Sequence, residues 1–142
     1  MKNSLDAYLS ILKSASFKLT PKRKAVIGLF IKEKGVLAPQ DVYRKLKSVI
    51  SPLGLPTIYR ILDELSSIGI LVPLTSNERL LCYALCGKPQ EHHHHFVCRK
   101  CRKVEEVEYC NFHEISKLIE KKFGGMVEQH SLHIEGLCVR CK

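Results

Sequence analysis

No run of apolar side chains in this 142-residue chain approaches the roughly 18 residues that a membrane span needs. The opening segment, MKNSLDAYLS, lacks the apolar core and small-residue cleavage site of a signal peptide. There is no HExxH, and no internal repeat beyond two CxxC pairs. Residues 1–80 contain neither cysteine nor histidine; all seven of each come later. Acidic side chains are also scarce, 14 against 23 Lys and Arg, which leaves a net charge of +9. The sequence therefore reads as that of a cytosolic globular protein, basic first and rich in metal-type ligands second. Seven cysteines in such a chain point to metal or redox chemistry rather than structural disulfides.

The charge is concentrated at the front. Residues 1–80 carry 13 basic and 6 acidic side chains, and the remainder 10 and 8. A basic first half fits a polyanionic partner, although many basic proteins bind none.

Helical signals fill that half. Ser4 precedes Leu5, Tyr8, Leu9 and Leu12 at helical spacing. Thr20 and Pro21 open a second helix with a stripe of Ala25, Val26, Leu29 and Phe30, ended by Gly35. A third begins at Pro39 and carries Val42, Leu46, Val49 and Ile50. A fourth, PTIYRILDELSSIG, stops at Gly69. ILVPLT and RLLCYAL then read as a hairpin joined by SNE. Helices followed by a hairpin are the layout of a winged helix-turn-helix module, whose last helix before the hairpin enters the DNA major groove. The second half reads β-β-α-β, with Ile115, Leu118, Ile119 and Phe123 on one helix face. The expected fold class is α+β, with a winged-helix domain over 1–85, a linker over 86–91 and a second domain over 92–142.

Cys98 and Cys101 form one CxxC, and Cys138 and Cys141 another, 36 residues on. Each pair brings two thiolates to one ion from a tight turn. Two pairs complete a tetrahedral S₄ shell of the kind zinc accepts without redox liability. A dithiol redox pair would more naturally show a single CxxC opening a helix. Beside the first pair stands HHHH, residues 92–95. In a strand, His92 and His94 face one way and His93 and His95 the other, so the run offers two half-sites for Zn²⁺ or Fe²⁺. The bland alternative is a solvated edge strand.

LTPKRKAV (19–26), GLPTIYRILDELSSIGIL (54–71), HHHHFVCRKC (92–101) and HSLHIEGLCVRC (130–141) together resemble the ferric uptake regulator (Fur) family, including its zinc-responsive and peroxide-responsive branches. Their order and spacing cover nearly the whole chain. The resemblance implies a metal-loaded homodimeric repressor that binds palindromic operators, with the second domain as dimerisation domain and structural zinc on Cys98, Cys101, Cys138 and Cys141. It implies DNA contacts from Thr57, Tyr59 and Arg60, with Lys18, Lys22 and Arg23 as phosphate-neutralising candidates whose alternative is a solvated basic face. Ile61, Leu62 and Leu65 read as core.

The resemblance also implies a regulatory site on His93, His95 and Glu106, holding zinc or ferrous iron. A linker cysteine completes that site in the zinc-responsive branch, and Cys86 is the candidate here. An additional site would use His92, His94, His113 and His130, where the family usually places carboxylates at the positions of His94 and His113. Cys82 and Cys110 read as ordinary strand-associated cysteines. Val36 replaces the histidine that iron- and peroxide-responsive members place before the third helix, and GILVP lacks the aspartate common in zinc-responsive members. The remaining ligand set is closest to the zinc-responsive branch, because a thiolate favours zinc over iron. Iron- and peroxide-responsive repressors are the alternatives. A zinc-storage protein or zinc hydrolase is more distant, and neither needs PTIYR or a basic first half.

Overall fold

Ser4 opens α1 (Leu5–Ser14), accepting the Ala7 N–H and leaving Tyr8 and Leu12 buried on the inner stripe. Thr20 caps α2 (Pro21–Glu33) by accepting the Arg23 N–H, with Pro21 in its first turn. The side chains that α2 buries are Val26, Ile27 and Phe30, whereas Ala25 and Leu29 are partly covered. Ile27 thus belongs to the stripe that the sequence assigns without it. The helix ends before Gly35, because Lys34 itself takes the left-handed conformation, φ 51°, and donates its N–H to the Phe30 carbonyl.

The computed structural model describes residues 4–75, 78–89 and 91–142. Ser76 and Asn77 of the expected hairpin turn, Gln90 of the expected linker and the first three residues lie outside the described residues. α3 (Pro39–Leu46) is shorter than the apolar periodicity implies: Val49 lies beyond it and is 71% exposed. α4 (Leu55–Ser67) follows and buries Ile58, Ile61, Leu62 and Leu65. Gly69 stops the chain after α4 with a φ of +78°. A Cβ there would also come within 2.8 Å of the Pro89 carbonyl oxygen, so glycine is required twice over.

β1 (Leu71–Thr75) and β2 (Leu81–Leu85) pair antiparallel, Pro73 opposite Tyr83. Leu37, just before α3, adds a bridge on the other edge of β2 by exchanging both backbone hydrogen bonds with Tyr83. Helices and hairpin share one core built on Leu12, Val26, Phe30, Val42, Ile58, Leu62, Leu65 and Tyr83. This is the winged helix-turn-helix arrangement, and it lies within a compact unit spanning Met1–Gln90.

A second unit spans Glu91–Lys142. β3 (His94–Cys98) is its central strand, antiparallel to β4 (Val104–Val107) and parallel to β5 (His133–Gly136). α5 (Phe112–Phe123) makes the crossover between them and ends at Gly124 in the left-handed conformation. The β-β-α-β order is as the sequence implies, and the parallel pairing of β3 with β5 is what brings the two CxxC segments together. Among the described residues, the buried apolar side chains of this unit are Val97, Cys98 and Cys138. Two of those three are metal-type ligands.

Candidate metal centres and nucleic-acid interface

The exposed side of α4 carries Tyr59 and Arg60, with Thr57 half-buried in the first turn. The opposite side is the buried Ile58, Ile61, Leu62 and Leu65 stripe, so helical period fixes which side chains face outward. The Gln40 amide of α3 donates to the Tyr59 phenol oxygen at 3.0 Å. Lys18 is exposed and Lys22 partly so. Arg23 differs from its neighbours. Its guanidinium donates twice to Glu64 of α4, at 3.0 and 2.8 Å, and once to the Lys18 carbonyl, and it lies over the Phe17 ring. With its side chain 16% exposed, Arg23 ties α2 to α4 and is not a loose phosphate-facing cation.

In the second unit the parallel pairing of β3 with β5 assembles the cysteines. The sulfurs of Cys98, Cys101, Cys138 and Cys141 all lie within 4.8 Å of one another. Those of Cys101 and Cys138 are 3.6 Å apart, close to the roughly 3.8 Å edge of a tetrahedron with zinc–sulfur bonds of about 2.3 Å. Backbone N–H groups at Cys101 and Cys138 draw the Cys98 thiol down to about 6, so it is ready to ionise. Hydrogen bonding with Cys138 pushes the Cys141 thiol up to about 12. Four thiols this close cannot all ionise without a cation among them, which is the condition a zinc ion satisfies.

The histidines divide as strand alternation implies, although regular strand begins only at His94. His92 and His94 rings are 5.0 Å apart, and His93 and His95 rings 4.7 Å. The Nε2 atoms of His93 and His95 approach to 3.2 Å. His95 stands opposite Glu106 on β4, and ligand atoms of His93, His95 and Glu106 lie within 4.8 Å of one another. Burial first, then the neighbouring imidazoles, lowers the pKa of both His94 and His95, which keeps them in the neutral form that binds metal. His133 stands beside His95 in register, on the face away from His130.

On the other face, His94 and His130 Nε2 atoms are 3.3 Å apart, and the Phe112 ring stacks on His130 at 4.3 Å. The fourth ligand atom of this group is the Cys110 sulfur, 3.2 Å from His130 Nε2. Read from sequence as an ordinary strand-associated cysteine, Cys110 lies instead in the turn before α5, within the group. His113 is exposed and lines the adjoining cleft without joining the four. Cys86 ends the first unit's hairpin: its N–H donates to the Ile70 carbonyl, and its own carbonyl accepts the Tyr8 phenol at 2.8 Å. Cys82 is buried in β2.

A model of the ferric uptake regulator family matches residues 14–135. The chain belongs to this family. It is a metal-dependent transcriptional repressor that binds operator DNA. It is 32% identical over 143 residues to the ferric uptake regulation protein of Bacillus subtilis (strain 168), covering 99% of this chain and 96% of that one. The iron-containing ferric uptake regulator of Francisella tularensis is 35% identical, with a TM-score of 0.61 over 88% of this chain and 94% of that one. A zinc uptake regulator solved with zinc and DNA has a TM-score of 0.79 at 24% identity, over 96% and 91% of the two chains, a likeness of fold. Members of the Fur family are transcription regulators rather than enzymes. Among the described residues, no helix is long and apolar enough to cross a membrane.

Proposed function

We propose that this Fur-family repressor is a cytoplasmic zinc sensor that binds its operator as a homodimer. The S₄ group of Cys98, Cys101, Cys138 and Cys141 is its structural zinc site. Cys86, His93, His95 and Glu106 form the regulatory site, and His92, His94 and His130, with His113 nearby, an additional one. The observation that carries this reading is the donor set: imidazoles, of which burial keeps His95 neutral, one carboxylate and candidate thiolates. Such sites favour zinc over harder divalent ions. Thr57, Tyr59 and Arg60 meet the DNA, helped by Lys18 and Lys22. Arg23 acts through Glu64, by fixing α4 for the contact.

Metal binding regulates by its differential affinity for the DNA-competent state, so zinc and operator raise each other's affinity by the same factor. Zinc-titrated gel shifts on untagged full-length protein test this. Cys86→Ser and His93→Ala should each shift the zinc requirement upward while circular dichroism stays unchanged. If both variants bind operator normally at low and high zinc alike, the sensor assignment is wrong. A second reading, iron sensing, is favoured by the 32% likeness to a ferric uptake regulation protein. Metal analysis alongside operator titration with each ion separates the two.

A further inference from the structure

The cluster around His130 has a composition that the His113 expectation does not give. His92, His94 and His130 offer three nitrogens, and the fourth ligand atom within 4.8 Å is sulfur, from Cys110. The placement is built from two sides. Phe112 stacks on the His130 ring with an interplanar angle of 11°, which fixes the imidazole's plane. The same turn carries Cys110 to 3.2 Å from His130 Nε2, next to the nitrogen that already faces His94. His113, one residue beyond Phe112, starts the outer side of α5 and is exposed. Successive helix residues are about 100° apart around the axis, so with Phe112 stacked on His130, His113 meets the cleft from a different side and stays outside the four.

We propose that Cys110 supplies the fourth ligand of this cluster in place of His113, so that the site takes one borderline-soft divalent cation of the zinc type through three imidazoles and one thiolate. The proposal rests on reading His92, His94 and His130 as metal ligands. It sharpens the site's selectivity: four imidazoles already favour borderline ions, and one sulfur in place of the fourth nitrogen biases the set further toward zinc and cobalt. It also makes the thiol a reporter of occupancy, since a metal-bound sulfur is withdrawn from alkylating reagents.

The test uses full-length dimeric protein carrying Cys86→Ser and His93→Ala, which disable the other mixed site, with zinc retained in the S₄ centre. Co²⁺ is added as the probe. One equivalent should bind per chain and produce a thiolate-to-cobalt charge-transfer band. The band should be lost on adding Cys110→Ser and kept on adding His113→Ala. In the unsubstituted chain, Zn²⁺ should protect Cys110 from iodoacetamide, read by mass spectrometry of its peptide. Cobalt bound with ligand-field absorption but no charge-transfer band overturns the Cys110 assignment alone, as does a band that survives Cys110→Ser. No cobalt bound in the background protein, with no zinc protection of Cys110, overturns the metal-site reading as well.

Discussion

As a ligand of the proposed S₄ zinc, Cys98 would hold more of the second unit together than its few buried apolar side chains. It is fully buried, it receives the Cys138 N–H, and it stands beside Val97 in a core with little else in it. Structural zinc in small sites contributes on the order of 10 kcal/mol of folding free energy, more than so few apolar contacts can supply. Cys98→Ser should therefore release zinc and unfold the second unit, seen as lost β-sheet signal and lost dimer in sedimentation. Gly69 is a contrasting case, because its role is steric. Gly69→Ala places a Cβ 2.8 Å from a backbone oxygen at positive φ and should destabilise by at least about 1 kcal/mol, measured by urea unfolding. His94 and His95 add a dependence on pH. Their folded pKa lies below 6.5, so the unfolded chain binds more protons on acidification. The chelator-treated protein should lose stability as pH falls through about 6.5, and a melting temperature that rises between about pH 8 and about pH 5.5 would count against it.

At the scale of elements, α4 and α5 present opposite kinds of surface. α4 turns Tyr59 and Arg60 outward from a complete core. Arg60→Ala should weaken specific operator binding by about 1–3 kcal/mol, and Lys18→Ala should lower the salt slope of binding by about 1, both read by fluorescence anisotropy. α5 buries none of its residues, and it exposes Ile115, Leu118 and Phe123. A Leu118→Glu change should leave the S₄ zinc in place and shift the protein toward monomer in sedimentation equilibrium. Periodicity and caps made the helices legible in the sequence: Ser4 and Thr20 both act where the pattern puts them. The end of the third helix is not legible in the sequence, because Val49 continues the apolar rhythm past the point where the helix stops. Alternation separated the four histidines correctly, since a two-residue period needs no tertiary information. The place of Cys110 is illegible in the sequence for the opposite reason. It lies in a turn with no period, and only the crossover through α5 carries it to His130.

Across the whole molecule, the proposed DNA contacts lie in the basic, helical first unit, and every proposed metal ligand except Cys86 lies in the second, which is poor in core. Chelation that empties the exchangeable sites should abolish operator binding, while the S₄ zinc resists the same treatment. Adding Zn²⁺ should restore binding without refolding. Protein that must be refolded first would show that the exchangeable sites are structural too. The parallel pairing of β3 with β5 also sets an order in time. A ribosome delivers the chain from its first residue onward, so Cys138 and Cys141 emerge after every other candidate ligand. Cys98 and Cys101 therefore leave the ribosome before the two cysteines that would complete their shell. The proposed S₄ centre, and the small core that leans on it, can close only once Cys141 has been made.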